Sequence, residues 1–169
     1  MTDWTVRGLE IKTQAERPVV YSPEERRRRD QTGWTLVQGI LAPVQFVVFL
    51  ISLVLVVRYL LTGEGLAVAG WSVVLKTGVL LLIMVTGAIW EKVVFGQYLF
   101  ARPFFWEDVV SMLVIALHLA VTMAWFDWGL HLSAQSAMGL ALLAYASYLI
   151  NAAQFLRKLR LARQEVRHA

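Results

Sequence analysis

The stretch TGAIWEKVVFGQYLFARPFFWED, from Thr86 to Asp108, joins two long apolar segments. It sets five charged residues among seven aromatic ones, and the charged residues are Glu91, Lys92, Arg102, Glu107 and Asp108. Charges beside so much aromatic surface at a membrane boundary are costly unless they are paired or have a function. The stretch is therefore either a functional site or an interfacial aromatic belt whose charged side chains reach the membrane surface.

The composition indicates a membrane protein with one helical bundle. Hydrophobic residues make up 58% of the 169-residue chain, against roughly 45–50% in soluble domains. The absence of cysteine excludes disulfides, thiolate catalysis, iron–sulfur clusters and zinc sites with sulfur ligands. The net charge of +4 is concentrated near the ends of the apolar segments, which favours anionic lipid head groups over nucleic acid as the partner.

Four apolar runs are each long enough to cross a hydrocarbon core of roughly 30 Å as a helix. They extend over residues 34–61, 66–90, 106–125 and 134–156. Thr62 to Gly65 forms a tight turn and Asp127 to Ser133 a loop, and Pro43 should kink the first helix. Lys76 is the one charge in the second run. We expect it to extend to the membrane surface or to pair with Glu64 or Asp127, the alternative being a functional lysine.

Basic residues lie almost entirely on one side of the predicted membrane. Of the 16 Lys and Arg residues, all but Arg58 and Lys76 belong to the two terminal segments or to the stretch Thr86–Asp108. By the positive-inside rule these three regions face the cytoplasm. The predicted fold is all-α, an integral-membrane four-helix bundle with cytoplasmic N and C termini. Its predicted parts are a polar arm over residues 1–33, the bundle over residues 34–156 and a basic tail over residues 157–169.

The polar arm contains a helix-start pattern. Ser22-Pro23-Glu24-Glu25 is typical of a capping box with proline at the first helical position. It predicts a short surface helix through the arginines of residues 26–29, which would anchor at the membrane surface. No apolar segment follows a basic start, so we do not expect a cleaved signal peptide.

Polar side chains gather in the cytoplasmic half of the predicted bundle. Gln38 and Gln45 share one helical face, as do Asn151 and Gln154. Hydrogen bonds between helices would explain these amides. A pocket that opens toward the cytoplasmic leaflet is the functional alternative, and it would suit a large, flat, mostly apolar ligand. The candidate binding residues of that pocket are Gln38, Gln45, Trp90, Trp106, Asn151 and Gln154.

The third predicted membrane helix carries a polar stripe. Glu107, Ser111 and His118 fall on one face at about 100° per residue, whereas Asp108 is offset and could cap the helix. A lone histidine in an apolar helix often only hydrogen-bonds a neighbouring helix. A ligand or acid–base role for His118 is the alternative. The sequence has no phosphate-binding glycine loop, no HExxH and no CxxCH. The residue patterns alone therefore do not identify a reaction.

Several long segments resemble the 2-vinyl bacteriochlorophyllide hydratase family. They are YSPEERRRRD, WTLVQGILAPVQFVVFLISLVLVVRYLLTGEG, VTGAIWEKVVFGQYLF, FFWEDVVSMLVIALH and NAAQFLRKLRLAR. The resemblance covers about Tyr21 to Arg163. It implies a lyase of bacteriochlorophyll biosynthesis in the bacterial cytoplasmic or intracytoplasmic membrane. Such enzymes add water to the 3-vinyl group of chlorophyllide a or 3-vinyl bacteriochlorophyllide a, which gives a 1-hydroxyethyl group. The resemblance implies no cofactor and assigns no catalytic residues.

Chemistry suggests roles for the candidate residues. Protonation of the terminal vinyl carbon places positive charge on the carbon beside the macrocycle, and water then attacks that carbon. The protein must supply a proton donor, stabilise the cation and accept the proton of the water. The candidate acids are Glu91, Glu107 and Asp108. We expect Glu107 to be the donor, because it shares a face with His118 and because Lys92 beside Glu91 favours the ionised form of Glu91.

Other side chains would bind the substrate. Arg102 or Lys92 could hold the propionate carboxylate, and His118 could ligate the magnesium of the pigment. Glu107 and His118 lie about 16 Å apart along an ideal helix, so both reach one macrocycle only if the ring lies lengthwise. If the vinyl end points to mid-membrane, His118 becomes the acid–base candidate.

Two other classes of protein fit the same patterns. A non-enzymatic pigment carrier or assembly factor could use the same pocket, and a structural subunit could pack through its small and amide residues. Turnover separates these from a hydratase, because a carrier would bind the pigment unchanged. Homo-oligomers, or contacts with other enzymes of pigment synthesis, are further expectations.

Overall fold

The computed structural model describes residues 20–167, in which every regular element is a helix. The helices are α1 (Pro23–Gln31), α2 (Gly33–Thr62), α3 (Leu66–Phe95), α4 (Phe105–Trp125) and α5 (Ala134–Arg167). Helices α2 to α5 are long and apolar enough to cross a membrane. The predicted all-α fold with four spans is therefore confirmed, and the chain is a multi-pass membrane protein. Residues 1–19 of the predicted polar arm lie outside the described residues.

The helices end where the local chemistry requires it. Gly63 has φ of 75° and closes α2, and Gly96 has φ of 85° and closes α3; both are left-handed conformations that glycine adopts without steric cost. Helix α3 extends beyond the predicted Trp90 to Phe95. Only residues 96–104, the α3–α4 connection, lie outside helices between the second and third spans. Helix α5 continues past Leu156 without a break.

Helix α1 begins with the predicted capping box and docks on the bundle. The Ser22 hydroxyl accepts from the Glu25 N–H, and the Glu25 carboxylate accepts from the Ser22 N–H. Arg28 donates to the Val94 carbonyl over 3.4 Å. It also hydrogen-bonds Glu24, which lowers the pKa of that carboxyl. Helix α1 is thus tied to the end of α3.

One end of the bundle collects three separate parts of the chain. Tyr21 stacks on Phe95 with ring centroids 5.7 Å apart, and the Lys158 ammonium donates to the Pro103 carbonyl. Helix α1, the α3–α4 connection and the last turns of α5 therefore lie together, and we call this the connection end. The turn after α2 and the loop between α4 and α5 lie at the opposite end.

Small residues and a few large side chains fill the bundle interior. Phe49, Met138 and Tyr145 are almost completely buried. Alanines on α5 such as Ala141 let neighbouring helices approach closely. Most other large apolar side chains face outward, as expected where lipid surrounds the bundle.

Lys76 does not reach the membrane surface, and this expectation from the sequence was wrong. Its side chain is fully buried, and Nζ lies 3.9 Å from the centroid of the Tyr148 ring. It occupies the same buried face of α3 as Val73, and that face turns inward. The expected partners Glu64 and Asp127 instead contact Arg58 and His131, respectively.

Candidate functional site: a buried carboxyl pair

Three carboxyl side chains meet at the connection end of the bundle. Glu91 comes from the last turns of α3, and Glu107 and Asp108 come from the first turn of α4. All three are buried. They meet because the short α3–α4 connection returns the chain directly to the end of α3. The structure therefore brings together the three acids that the sequence singled out.

Glu91 and Asp108 form a close carboxyl pair. Each also accepts from the backbone of the connection. Asp108 Oδ2 lies 2.6 Å from the Phe100 nitrogen, and Glu91 Oε2 lies 3.1 Å from the Ala101 nitrogen. Two buried carboxylates held by adjacent backbone N–H groups repel each other, and a proton shared between them would remove that repulsion. The pair is therefore a candidate site for one shared proton.

Asp108 does not cap α4, contrary to one expectation. Phe104 is the N-cap residue, and its side chain makes no capping bond. Asp108 lies within the first turn on the buried side, where its carboxylate binds the Phe100 N–H instead. Its partners are the connection and Glu91, which the helical periodicity of α4 does not reveal.

Glu107 has a different partner from the other two acids. Its Oε1 lies 3.1 Å from Nζ of Lys158, and the exposed fractions of the two side chains are 10% and 23%. Sequence reasoning missed Lys158 because it lies in the basic C-terminal run. Its spacing was a usable signal, since it follows Gln154 by four residues and Asn151 by seven.

The amide side chains mostly connect helices. Asn151 accepts from Ser111 and donates to the Glu107 carbonyl, over 3.2 and 2.9 Å. Gln38 donates to Thr86 over 2.8 Å. Gln154 differs, because its Oε1 is buried and has no hydrogen-bonding partner within the described residues. Gln154 is thus the amide with a free acceptor near the acids.

Of the remaining candidates, all but Gln45 occupy the periphery of the connection end. Trp90 donates to Thr35 over 2.9 Å and is only partly buried. Trp106 is 69% exposed and faces away from the acids. Lys92 and Arg102 are exposed, and Lys92 donates to the Gly96 carbonyl. Gln45, the last of the group, is buried in α2.

His118 belongs to a second polar layer, deeper in the bundle. It is fully buried on the same face of α4 as Glu107 and Ser111, as the stripe predicted. It follows Asp108 by ten residues, or about 15 Å of helix. Its ring lies beside Tyr145, with centroids 5.7 Å apart, and a Thr77–Thr122 hydrogen bond brings Lys76 of α3 to the same level. Sequence reasoning placed neither of these beside it, because both come from other helices.

The described residues contain no group of three or more His, Asp or Glu side chains that could hold a metal ion. Fold and site together define a four-span, all-α membrane protein with a buried carboxyl pair at one end. Within this class the chain belongs to the 2-vinyl bacteriochlorophyllide hydratase (BCHF) family, whose model matches residues 21–161.

Two curated relatives carry that family name. The 2-vinyl bacteriochlorophyllide hydratase of Cereibacter sphaeroides is 62% identical over 89% of this chain and 92% of its own length. That of Rhodobacter capsulatus is 63% identical over 87% of this chain and 84% of its own length. No solved structure matches this chain.

Proposed function

We propose that this protein is a hydratase of bacteriochlorophyll biosynthesis. It adds water to the 3-vinyl group of chlorophyllide a or 3-vinyl bacteriochlorophyllide a and gives the 3-(1-hydroxyethyl) product. The family and the names of both relatives support the reaction. The observation that carries a mechanism is the Glu91–Asp108 pair, two buried carboxyl groups that accept from the adjacent Phe100 and Ala101 N–H groups. In this proposal the pair shares one proton.

The pair is the proton donor in this mechanism. Transfer of its proton to the terminal vinyl carbon forms a C–H bond and leaves the neighbouring carbon positively charged. The pair gains a second negative charge in the same step and stabilises the cation that it creates. Glu91 and Asp108 take this role rather than Glu107, because Glu107 is already paired with Lys158.

Glu107 is the base that completes the addition. Its carboxylate accepts a proton as water attacks the cationic carbon, so the C–O bond forms while an O–H bond breaks. One proton is added to the vinyl carbon, and a second proton moves from the water to Glu107. Transfer of this second proton from Glu107 to the pair restores the starting state. Lys158 acts as a positioning residue, because it fixes the Glu107 carboxylate.

Substrate binding in this proposal uses the periphery of the connection end. The exposed cations Arg102 and Lys92 are suited to the propionate carboxylate of the pigment. The free Gln154 oxygen can accept a hydrogen bond near the acids. His118 lies about 15 Å along α4 from Asp108, so it reaches the substrate magnesium only if the macrocycle lies along that helix.

The connection end faces the cytoplasm in this proposal. The exposed arginines of α1 and α5 lie there, as the positive-inside rule requires of the cytoplasmic side. The protein then resides in the bacterial cytoplasmic or intracytoplasmic membrane, with both chain termini inside. Contacts with other enzymes of pigment synthesis, or with a second copy, would form on the lipid-facing surfaces.

Turnover tests the function directly. Membranes that contain the protein are incubated with chlorophyllide a, and the pigment is analysed by mass spectrometry. A hydratase increases the pigment mass by one water and shows a 1-hydroxyethyl group in place of the vinyl group. A carrier retains the pigment on the protein with its mass unchanged, and that outcome would overturn the proposal.

A further inference from the structure

The second polar layer contains two buried atoms without partners. Neither Nζ of Lys76 nor Nε2 of His118 has a hydrogen-bonding partner within the described part of the chain. Both side chains are 0% exposed. Polar atoms so deep in a membrane bundle are costly unless they bind something. The mechanism at the connection end uses neither residue.

The helices hold these two residues at the same depth. Thr77, which follows Lys76, accepts from Thr122 over 3.2 Å. Thr122 lies one turn after His118 and also donates to its carbonyl over 2.9 Å. This contact fixes the register of α3 against α4. Lys76 and His118 therefore lie at one level of the bundle, on two adjacent helices.

Aromatic rings of α5 enclose the layer on one side. The Lys76 ammonium lies over the ring of Tyr148, and His118 lies beside Tyr145. Phe49 contacts both tyrosine rings, at centroid distances of 5.0 and 5.4 Å. A cation over an aromatic face is stabilised in part, but Lys76 Nζ makes no hydrogen bond to the Tyr148 hydroxyl or to any other described group.

The two unpartnered atoms differ in hydrogen-bonding role, and this difference restricts the ligand. His118 Nδ1 lies 2.8 Å from the Val114 carbonyl oxygen. A carbonyl only accepts, so Nδ1 carries the hydrogen and Nε2 of the neutral ring is an acceptor. Lys76 Nζ is a donor. The ligand must therefore donate and accept at once. A carboxylate would satisfy Lys76 alone, and a metal ion would bind His118 but be repelled by Lys76.

We propose that Lys76 and His118 hold one water molecule inside the bundle, with Lys76 Nζ donating to its oxygen and one of its O–H groups donating to His118 Nε2. A buried water typically makes two to four hydrogen bonds to polar groups that would otherwise lack partners. The site is independent of the hydratase mechanism. The same site could also supply the water that hydration consumes, and that role alone rests on the proposed function.

Solid-state NMR of the full-length protein in lipid bilayers tests this site, with solvent water as the probe. The protein carries ¹³C and ¹⁵N labels in histidine and lysine, and magnetisation transfer from water to each side chain is recorded. We expect transfer to both Lys76 and His118 in the wild type. Exposed His131 is the positive control. No transfer to His118 in the wild type would overturn the proposal.

Variants test whether the two residues share one water. Lys76→Met removes the donor and should abolish transfer to His118, whereas Lys76→Gln retains N–H donors and should preserve it. Tyr148→Phe keeps the ring under the ammonium and should also preserve it. Undiminished transfer in Lys76→Met would contradict a shared water. If that variant does not fold, loss of transfer in Lys76→Gln or Tyr148→Phe would count against the proposal.

Other ligands give different signals. Acetate that displaces the water signal at Lys76 would identify a carboxylate site. A shift of the His118 Nε2 resonance on addition of Mg²⁺ would identify a metal ligand. Either result overturns the assignment of water, and neither affects the turnover assay at the connection end.

Discussion

Lys158 and Glu107 join the last turns of α5 to the first turn of α4, with Nζ and Oε1 3.1 Å apart. The contact neutralises a carboxylate that would otherwise be buried alone. It also gives Glu107 a cationic partner, whereas Glu91 and Asp108 bind backbone N–H groups of the connection. Carboxyl groups in two different environments thus lie at one end of the bundle, an arrangement that suits acid–base chemistry.

Removal of Lys158 should destabilise the protein more than removal of both partners. Lys158→Met leaves Glu107 buried without its cation, which costs about 1–3 kcal/mol or more. The double variant Lys158→Met/Glu107→Gln has no unpaired charge and should recover part of this loss. Thermal unfolding of purified protein in detergent measures the difference. Equal destabilisation of the single and double variants would show that the two residues are not coupled.

The carboxyl pair should be essential for turnover. Glu91→Gln or Asp108→Asn removes an acidic proton while shape and hydrogen bonding are largely kept. General acid catalysis typically contributes about 10²–10⁴-fold, so we expect a loss of activity in this range with pigment binding retained. Initial rates with chlorophyllide a, together with pigment binding by absorbance, separate the two effects.

Glu64→Gln is the matched control for this pair, because Glu64 lies exposed at the opposite end of the bundle. It should leave the rate unchanged. Near-normal rates in both Glu91→Gln and Asp108→Asn would exclude the pair as the proton donor.

Glu107→Gln should also slow turnover, by about 10²–10⁴-fold if Glu107 is the base. The expected loss is in the rate of hydration, since the amide cannot accept the proton of the water. Wild-type rates in Glu107→Gln would remove Glu107 from the mechanism but leave the proton donor in place. Asn151→Ala provides a comparison, because it removes a hydrogen bond to the Glu107 carbonyl without changing the carboxylate.

Gly70 should not tolerate a side chain. A Cβ atom there would lie 2.2 Å from the Trp125 ring. Overpacking of this kind costs about 1–3 kcal/mol, so Gly70→Ala should lower the unfolding temperature. Gly78→Ala in the same helix is the control, because a Cβ there meets nothing within 4 Å. Equal unfolding temperatures for the two variants would contradict the close contact between Gly70 and Trp125.

Reporter fusions test the proposed orientation. A fusion at Gly65 or Leu130 should be periplasmic, and a fusion after Ala169 should be cytoplasmic, as the distribution of basic residues predicts. A phosphatase that is active only outside the cytoplasm and a fluorescent protein that folds inside it provide complementary signals. A periplasmic C terminus would reverse the orientation of the connection end.

The sequence predicted the helices well because their signals are local. The apolar runs located all four spans, and the capping box at Ser22 located α1. The end of α3 was predicted less accurately. Glu91 and Lys92 ended the apolar run at Trp90, although both are good helix formers and the helix continues until Gly96.

The site was predicted in part, and the missing part is non-local. The three acids stood out as charges at a membrane boundary. Lys158 and the connection amides did not, because their contacts depend on how distant segments pack. Lys76 shows the same limit. The cost of a buried charge in a membrane predicted that its side chain extends to the membrane surface. Its ammonium instead lies inside the bundle, over the ring of Tyr148 on another helix.

Phe100 limits how the α3–α4 connection can vary through evolution or design. Its φ of 60° is a left-handed conformation that few residues other than glycine, asparagine and aspartate adopt readily. That conformation directs the Phe100 N–H toward Asp108. A β-branched residue at position 100 would turn the N–H away, whereas Tyr98 and Arg102, which point outward, are free to change. What must be inherited in this loop is a set of main-chain torsion angles, and different sequences that preserve those angles can keep the same carboxyl pair.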